Sequence, residues 1–272
     1  MVAVKFEMDT KDLANLYDEV SVSQFNDGCV LLEKLALRSG SSVLDIGCGT
    51  GMLGREVINI IGETGQYFGI DPSAERIAVA CSKNSYQNAV YQCGRAEDLS
   101  FIASNSIDIV YLNWVFHWVP DKSMVLEQIL RVLKPNGKLG ITLPCKELRH
   151  IVKLNSIIDQ VLEREPYKDF VKIEQSAQKQ NNLTTTELIQ LLISSGFKFQ
   201  DVQIQTSSRT FHQTQDITNF LSASYFGNYL VHVPDNLREQ AITDIEAEFE
   251  SYRTVEGLKF DYYPLYAVVQ KQ

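Results

Sequence analysis

Residues 43–54 read Val-Leu-Asp-Ile-Gly-Cys-Gly-Thr-Gly-Met-Leu-Gly, so glycines crowd directly behind a short apolar run. A chain that leaves a buried strand, turns sharply and enters a helix needs glycine where a Cβ would strain the turn or obstruct a ligand. Gly49, Gly51 and Gly54 satisfy the G-x-G-x-x-G spacing of a dinucleotide-binding turn, and Asp71 stands where an acidic residue would meet a ribose. The spacing alone leaves two kinds of guest open, a dinucleotide and some other molecule that carries a ribose.

The stretches around this loop alternate in period. Short apolar runs at Ser42–Ile46, Gln66–Ile70, Ala89–Cys93, Ile107–Leu112 and Lys138–Leu143 read as buried strands. Between them Met52–Ile61, Ala74–Lys83 and Lys122–Leu133 have helical spacing, the last stopped by Lys-Pro-Asn-Gly. Such alternation predicts an α/β fold: a doubly wound, mostly parallel, seven-stranded Rossmann-like sheet with ligands at the carboxyl ends of its strands. Further on, Thr184 and Glu187 form a capping box before Leu188, Leu191 and Leu192, and Gly196 stops that helix. Phe197–Thr206 then alternates like a strand, Asp235–Tyr252 reads as a helix and Tyr263–Gln270 as a last strand. Residues 146–183 and 207–234 fit the sheet less well and are expected to form a helical cap. The expected organisation is an N-terminal helical segment over the cofactor (1–40) and a Rossmann-like core (41–145). A cap mixed with one core helix and strand (146–234) follows, and a final helix and strand (235–272) complete the sheet.

Composition narrows the partners. With 25 Lys and Arg against 34 Asp and Glu, the net charge is −9, which gives a nucleic-acid backbone no electrostatic attraction. A small-molecule substrate is expected, with no nucleic acid; no apolar run approaches the length of a membrane span. The N-terminus carries charges too early for a signal peptide, so a cytoplasmic location is expected. The 5 cysteines include no C-x-x-C pair, which suits reduced thiols better than a disulfide frame or a zinc site, and no metal site is expected.

Asp45, two residues before Gly47, separates the two guests. A carboxylate aimed into the loop would repel a pyrophosphate and could bind an ammonium, as S-adenosylmethionine offers. Val43–Gly51, Gly69–Ser73, Gly94–Phe101, Asp108–Val119 and Leu133–Leu139 resemble, in that order and spacing, the successive signatures of class I S-adenosylmethionine-dependent small-molecule methyltransferases. The resemblance implies that Gly47, Cys48, Gly49 and Gly51 contact the methionine part, Asp71 the ribose, Pro72 a face of the adenine, and Ala96 and Glu97 its edge. Asn113 and Trp114 would stand at the sulfonium side, with Tyr17 and Gln24 over the cofactor. Each position also has a plainer explanation: Asp45 could cap the loop, Asp71 the following helix, and Glu97 could be a solvated turn residue.

The acceptor leaves a fainter imprint, because methyl transfer asks mainly for positioning and desolvation. A Tyr17-x6-Gln24 segment paired with His117-Trp118 is similar to the juvenile hormone acid, trans-aconitate and malonyl-carrier methyltransferase group. That likeness implies that Gln24 and Trp118 donate hydrogen bonds to a carboxylate, which needs no general base. For a hydroxyl acceptor His117 would be the base; for a carboxylate it would be a wall or an orienting donor. Phe211, Phe220, Tyr225, Phe226 and Tyr229 could line an apolar pocket, and no basic cluster is apparent in the cap. The favoured expectation is O-methylation of a small, mostly apolar carboxylic acid. C- or N-methylation of a prenylated or aromatic intermediate, a nicotinamide-dependent oxidoreductase and an inactive cofactor-binding module are the alternatives. Oligomeric state is left open.

Overall fold

The computed structural model describes residues 5–170 and 181–272; residues 1–4 of the expected N-terminal segment and 171–180 of the expected cap lie outside the described residues. Seven strands form the main sheet: β1 (Ser42–Ile46), β2 (Gln66–Asp71), β3 (Ala89–Cys93), β4 (Ile107–Asn113), β5 (Leu133–Pro144), β6 (Phe197–Ile204) and β9 (Pro264–Lys271). Their order is β3-β2-β1-β4-β5-β9-β6. The pairs from β3 through β5 are parallel, and β9 runs antiparallel to both β5 and β6.

Period-2 alternation in doubly buried strands explains the continuous apolar runs. Leu44 and Ile46, Val110 and Leu112, and Leu139 and Ile141 face one core. The core on the opposite face takes Val43, Ile109 and Tyr111. The first core is covered by α5 (Lys122–Val132) through Val125, Leu126 and Ile129, and by α7 (Thr185–Ser194) through Leu188 and Leu192. The second is covered by α2 (Val22–Leu35) through Leu31 and Leu35, and by α3 (Met52–Ile61) through Val57 and Ile61. Capping follows the local chemistry: Ser73 accepts from the Arg76 N–H at the start of α4 (Ala74–Lys83), and Thr184 and Glu187 cap α7 reciprocally.

Three placements differ from the sequence reading. Within the N-terminal segment, residues 5–8 and α1 (Lys11–Val20) lie against the cap, whereas α2 mainly covers the sheet and reaches the cap through Gln24. Between Leu133 and Lys138 the Lys-Pro-Asn-Gly stretch leaves the β4 pairing, so β5 begins earlier than expected. The late helix Asp235–Glu250, here α9, does not complete the sheet. Its Ala241, Ile245 and Phe249 pack with α6 (Lys153–Leu162) and α8 (Thr214–Ser224) in a separate cap core. A two-stranded sheet of β7 (Ser207–Phe211) and β8 (Leu258–Tyr262), absent from the sequence reading, carries that cap back to the main sheet. Among the described residues no helix is long and apolar enough to cross a membrane.

Phe249 is fully buried in the cap core, edge-on to Phe260 with ring centres 5.5 Å apart. Truncating such a ring removes its transfer energy and leaves a cavity. Phe249→Ala is expected to lower the unfolding free energy by about 3–5 kcal/mol, as read by urea denaturation. A loss under about 1 kcal/mol would mean that the cap collapses around the gap.

Candidate active site

The strand order reverses between β1 and β4, which opens a crevice beyond the carboxyl ends of the strands. The loop leaving β1 lies on this crevice. Gly47 and Cys48 donate their N–H groups to the Ile70 carbonyl at 2.7 and 2.9 Å, and Gly49 donates to an Asp71 carboxylate oxygen at 3.0 Å. Gly47 has φ +79°, and a Cβ there would stand 2.1 Å from Val115 Cγ2. At Gly49, with φ +56°, it would stand 3.2 Å from the Tyr17 ring. The glycines are therefore required by left-handed backbone and by protein side chains packed on the loop.

Asp71, 3% exposed, also accepts from the Ser73 N–H at 2.9 Å. Its carboxylate thus ties the glycine loop to the start of α4 and still faces the cavity. Burial raises its pKa, while Arg76 and the two backbone donors pull the other way.

Asp45 is turned away from that cavity, contrary to the expectation that it points into the loop. It is 2% exposed and accepts from Tyr67 and Tyr111 hydroxyls at 2.8 and 2.7 Å. The strand pleat sets this: Tyr67 and Tyr111 share the core face that α2 and α3 cover. Asp45 can act on a ligand only by holding the strand beneath the loop. Burial pushes its carboxyl up to about 7 in spite of the two donating phenols.

A cavity of about 390 Å³ lies between crevice and cap. Tyr17, Gln24, Gly47, Asp71, Pro72, Ala96, Glu97, Asn113 and Trp114 line it, as do His117 and Trp118. Cys48, Gly49 and Gly51 do not: Cys48 is buried in the turn, Gly49 lies under Tyr17, and a Cβ on Gly51 would meet Asn84 and Tyr91. Asn113 donates its amide to the Gln24 carbonyl at 2.8 Å, and its own side-chain oxygen is buried without a protein partner. That free acceptor, Asp71, and the Pro72, Ala96 and Glu97 wall could hold a nucleoside with a cationic tail.

The acceptor end is aromatic. Trp118 packs edge-on to Tyr225 and Phe226, with ring centres 5.6 and 5.9 Å apart, and tilts against His117 at 5.2 Å. Gln24 donates to Ser224 Oγ at 3.2 Å and accepts from Ser23 Oγ at 3.0 Å. Phe220, Tyr225 and Phe226 reach the cavity, whereas Phe211 and Tyr229 pack into the cap core. His117 is 3% exposed, its Nδ1 has no protein partner, and burial, assisted by Lys122 and Arg149, pushes its pKa down to about 3. The imidazole is uncharged at neutral pH and a poor base.

The sequence reading found no basic cluster, yet Arg76, Arg95, Arg149 and Arg209 all line the cavity. They come from four separate segments, so no local run of charge reveals them. Arg76 is held by the protein. It pairs with Asp9 at 2.8 Å, donates to the Ala223 carbonyl at 2.6 Å, and lies between the Tyr17 and Phe226 rings at 4.0 and 3.9 Å. Asp27, also missed, accepts from Trp114 Nε1 at 2.9 Å and from the hydroxyls of Tyr262 and Tyr266. Among the described residues no cluster of three His, Cys, Asp or Glu could hold a metal.

Comparison with known proteins agrees with this geometry. The family model described as a methyltransferase domain matches residues 37–213. An arsenite methyltransferase of Aquipseudomonas alcaligenes is 35% identical over 136 residues, which cover 47% of this chain and 38% of that protein. A demethylmenaquinone methyltransferase of Lactobacillus johnsonii is 34% identical over 126 residues, covering 45% and 51%. The matches span about half or less of these relatives' length. Among solved structures, the YcgJ protein of Bacillus subtilis superposes with a TM-score of 0.62 at 17% identity, covering 91% of this chain and 98% of that one. A SAM-dependent methyltransferase of Aquifex aeolicus gives 0.54 at 21% identity, covering 71% and 91%. At such identities the likeness concerns the fold.

The raised Asp45 pKa has a signed consequence. Between about pH 4 and 7 the folded protein retains a proton that the unfolded chain has released, so this group's contribution to stability falls as pH rises. Asp45→Asn removes that dependence. Urea unfolding at pH 4, 5.5 and 7 is expected to show the wild type losing stability relative to D45N as pH increases. A constant difference would mean that Asp45 is ionised throughout.

Proposed function

The chain belongs to the methyltransferase-domain family, whose donor is S-adenosylmethionine, and from that premise we propose that it O-methylates a small, mostly apolar carboxylic acid. The observation that carries the choice of acceptor is His117. The one histidine lining the cavity among the described residues has its pKa depressed to about 3, so it offers little base strength for a phenol near ~10. A carboxylate is already ionised and needs no base. When bound, the sulfonium supplies an electrophilic methyl carbon to which a carboxylate oxygen can bond as the C–S electron pair returns to sulfur, with no proton transferred.

The chain's own residues then have positioning roles. Asp71 would accept from the ribose hydroxyls, Pro72, Ala96 and Glu97 would border the adenine, and the free Asn113 oxygen would face the cationic methionine end. Gly47 would admit that end to the loop. Cys48, Gly49 and Gly51 would shape the turn without touching the ligand. Gln24 and Trp118 would orient the acceptor, and the aromatic wall would exclude water. The relatives' named substrates fit less well. A soft arsenic centre calls for several thiols, and Cys145 is the one cysteine lining the cavity among the described residues. A quinol ring would need the base that His117 does not provide.

Asp71→Ala is expected to weaken S-adenosylhomocysteine binding by on the order of 10- to 100-fold in titration calorimetry, since charge-assisted bonds disappear. Unchanged affinity would confine Asp71 to bracing the loop and α4. For the acceptor, aliphatic, terpenoid and aromatic acids would be screened beside matched alcohols, phenols, amines and prenylated indoles, with methyl incorporation followed by mass. Acids should react, and the rate should fall only where acid titrates the substrate. Activity confined to phenols or amines, or a rate limb near ~6.5 that His117→Ala abolishes, would make His117 a base and sink the carboxylate assignment. A methyl on carbon would move the protein to the prenyl-methylating alternative.

A further inference from the structure

Two arginines on the cavity wall, Arg76 buried and Arg209 half-buried, differ in one respect. Arg76 is paired with Asp9 and bonded to the Ala223 carbonyl. Arg209 stands among aromatic rings, with its guanidinium 4.2 Å from the centre of Phe220 and 4.4 Å from that of Tyr262. Among the described residues no carboxylate is within ion-pair distance of it, and its Nε is buried without a partner. Asp27 acts on it through space, but the Asp27 oxygens are taken by Trp114, Tyr262 and Tyr266. A guanidinium partly withdrawn from water with no anion bonded to it is costly, and rings packed on its faces leave its donors in the plane free for a forked acceptor.

The β7–β8 register explains the aim. Ser207 pairs with Tyr262 and Arg209 with Phe260, so these four side chains share one face of the hairpin, from which Arg209, Phe260 and Tyr262 line the cavity. Ser208 and Asp261 take the opposite face and bond each other at 2.5 Å. Arg209 is also close to the sulfonium-side wall: Tyr262 lies 6.0 Å from Trp114 between ring centres, and both donate to Asp27.

We propose that Arg209 is the specificity-determining residue of the acceptor pocket, gripping the carboxylate of an apolar monocarboxylic acid, the same carboxylate that receives the methyl group. This rests on the acid-methylating reading above. An arginine with no bonded anion, in a cavity that Trp118, Phe220, Tyr225 and Phe226 also line, favours an anionic group on an apolar body. Methylation turns the carboxylate into a neutral ester as the sulfonium becomes a neutral thioether, so the product loses its hold on Arg209 while the substrate keeps it.

Both tryptophans of the chain, Trp114 and Trp118, line the cavity, so their fluorescence reports occupancy. With S-adenosylhomocysteine bound, the probes are decanoic, geranic and 3-phenylpropionic acids, each beside its methyl ester. Wild type should bind at least one acid on the order of ten-fold or more tighter than the ester. Arg209→Gln should weaken acid binding by on the order of 10- to 100-fold, with ester and S-adenosylhomocysteine affinities unchanged within about two-fold, and Arg209→Lys should recover part of the loss. Binding of none of the acids, ester binding as tight as acid binding in wild type, or unchanged acid affinity in R209Q overturns the proposal. Where R209Q fails to fold, Arg209→Lys carries the test: a partial loss of acid affinity is expected, and acid affinity unchanged from wild type overturns the proposal. Arg209-dependent acid binding with no ester formed from any acid overturns the reaction assigned above and leaves the anion site standing. Ester formation at an unchanged KM in R209Q does the reverse.

Discussion

Asp27 is the point on which the wall of the cavity depends. A carboxylate 4% exposed cannot remain in the interior without donors, and burial does raise its pKa. The donors it recruits come from three strands distant in sequence: Trp114 at the exit of β4, Tyr262 in β8 and Tyr266 in β9. Meeting the needs of one buried charge thus fastens the covered sheet to the hairpin that supports the cap. It also helps hold Trp114 at φ +58°, a left-handed conformation that a bulky residue adopts only when its surroundings over-determine it. The strain sits at the crevice where the donor's reactive end is proposed to lie.

A second buried charge closes the opposite side. Arg76 projects from α4 and is claimed by Asp9 near the N-terminus, by the end of α8 through the Ala223 carbonyl, and by the rings of Tyr17 and Phe226. The pairing draws the N-terminal segment and the cap onto the same helix. Because its donors go to the protein, Arg76 contributes shape to the cavity, while Arg209, whose Nε lacks a protein partner, contributes charge. Two arginines of one cavity therefore have different chemical availability, decided by which carboxylates the fold brings near.

Much of the core was legible because its signals are local. The alternation of apolar runs with helical spacing located β1 to β4 and α3 to α5 within a residue or two, since doubly buried parallel strands and helices with one apolar stripe leave distinct periods. Asp71, Pro72, Asn113 and Trp114 could be placed on the crevice from their positions at strand ends, and all four line the cavity. Asp45 misled the reading for an equally physical reason. Proximity to a loop says nothing about which face of the strand a side chain takes, and the pleat sends this carboxylate to Tyr67 and Tyr111.

What the sequence determined by itself was the doubly wound sheet, the glycine turn required by left-handed backbone and the polar residues at the strand ends, all of which depend on neighbours within a few positions. The tertiary structure alone decided the cap and the charges inside it. Arg209 is more than a hundred residues from Asp27 and fifty-three from Tyr262, yet one cavity collects all their effects. The β7–β8 pairing that aims Arg209 inward, and the burial that leaves His117 uncharged, arise only when distant segments pack and exclude water.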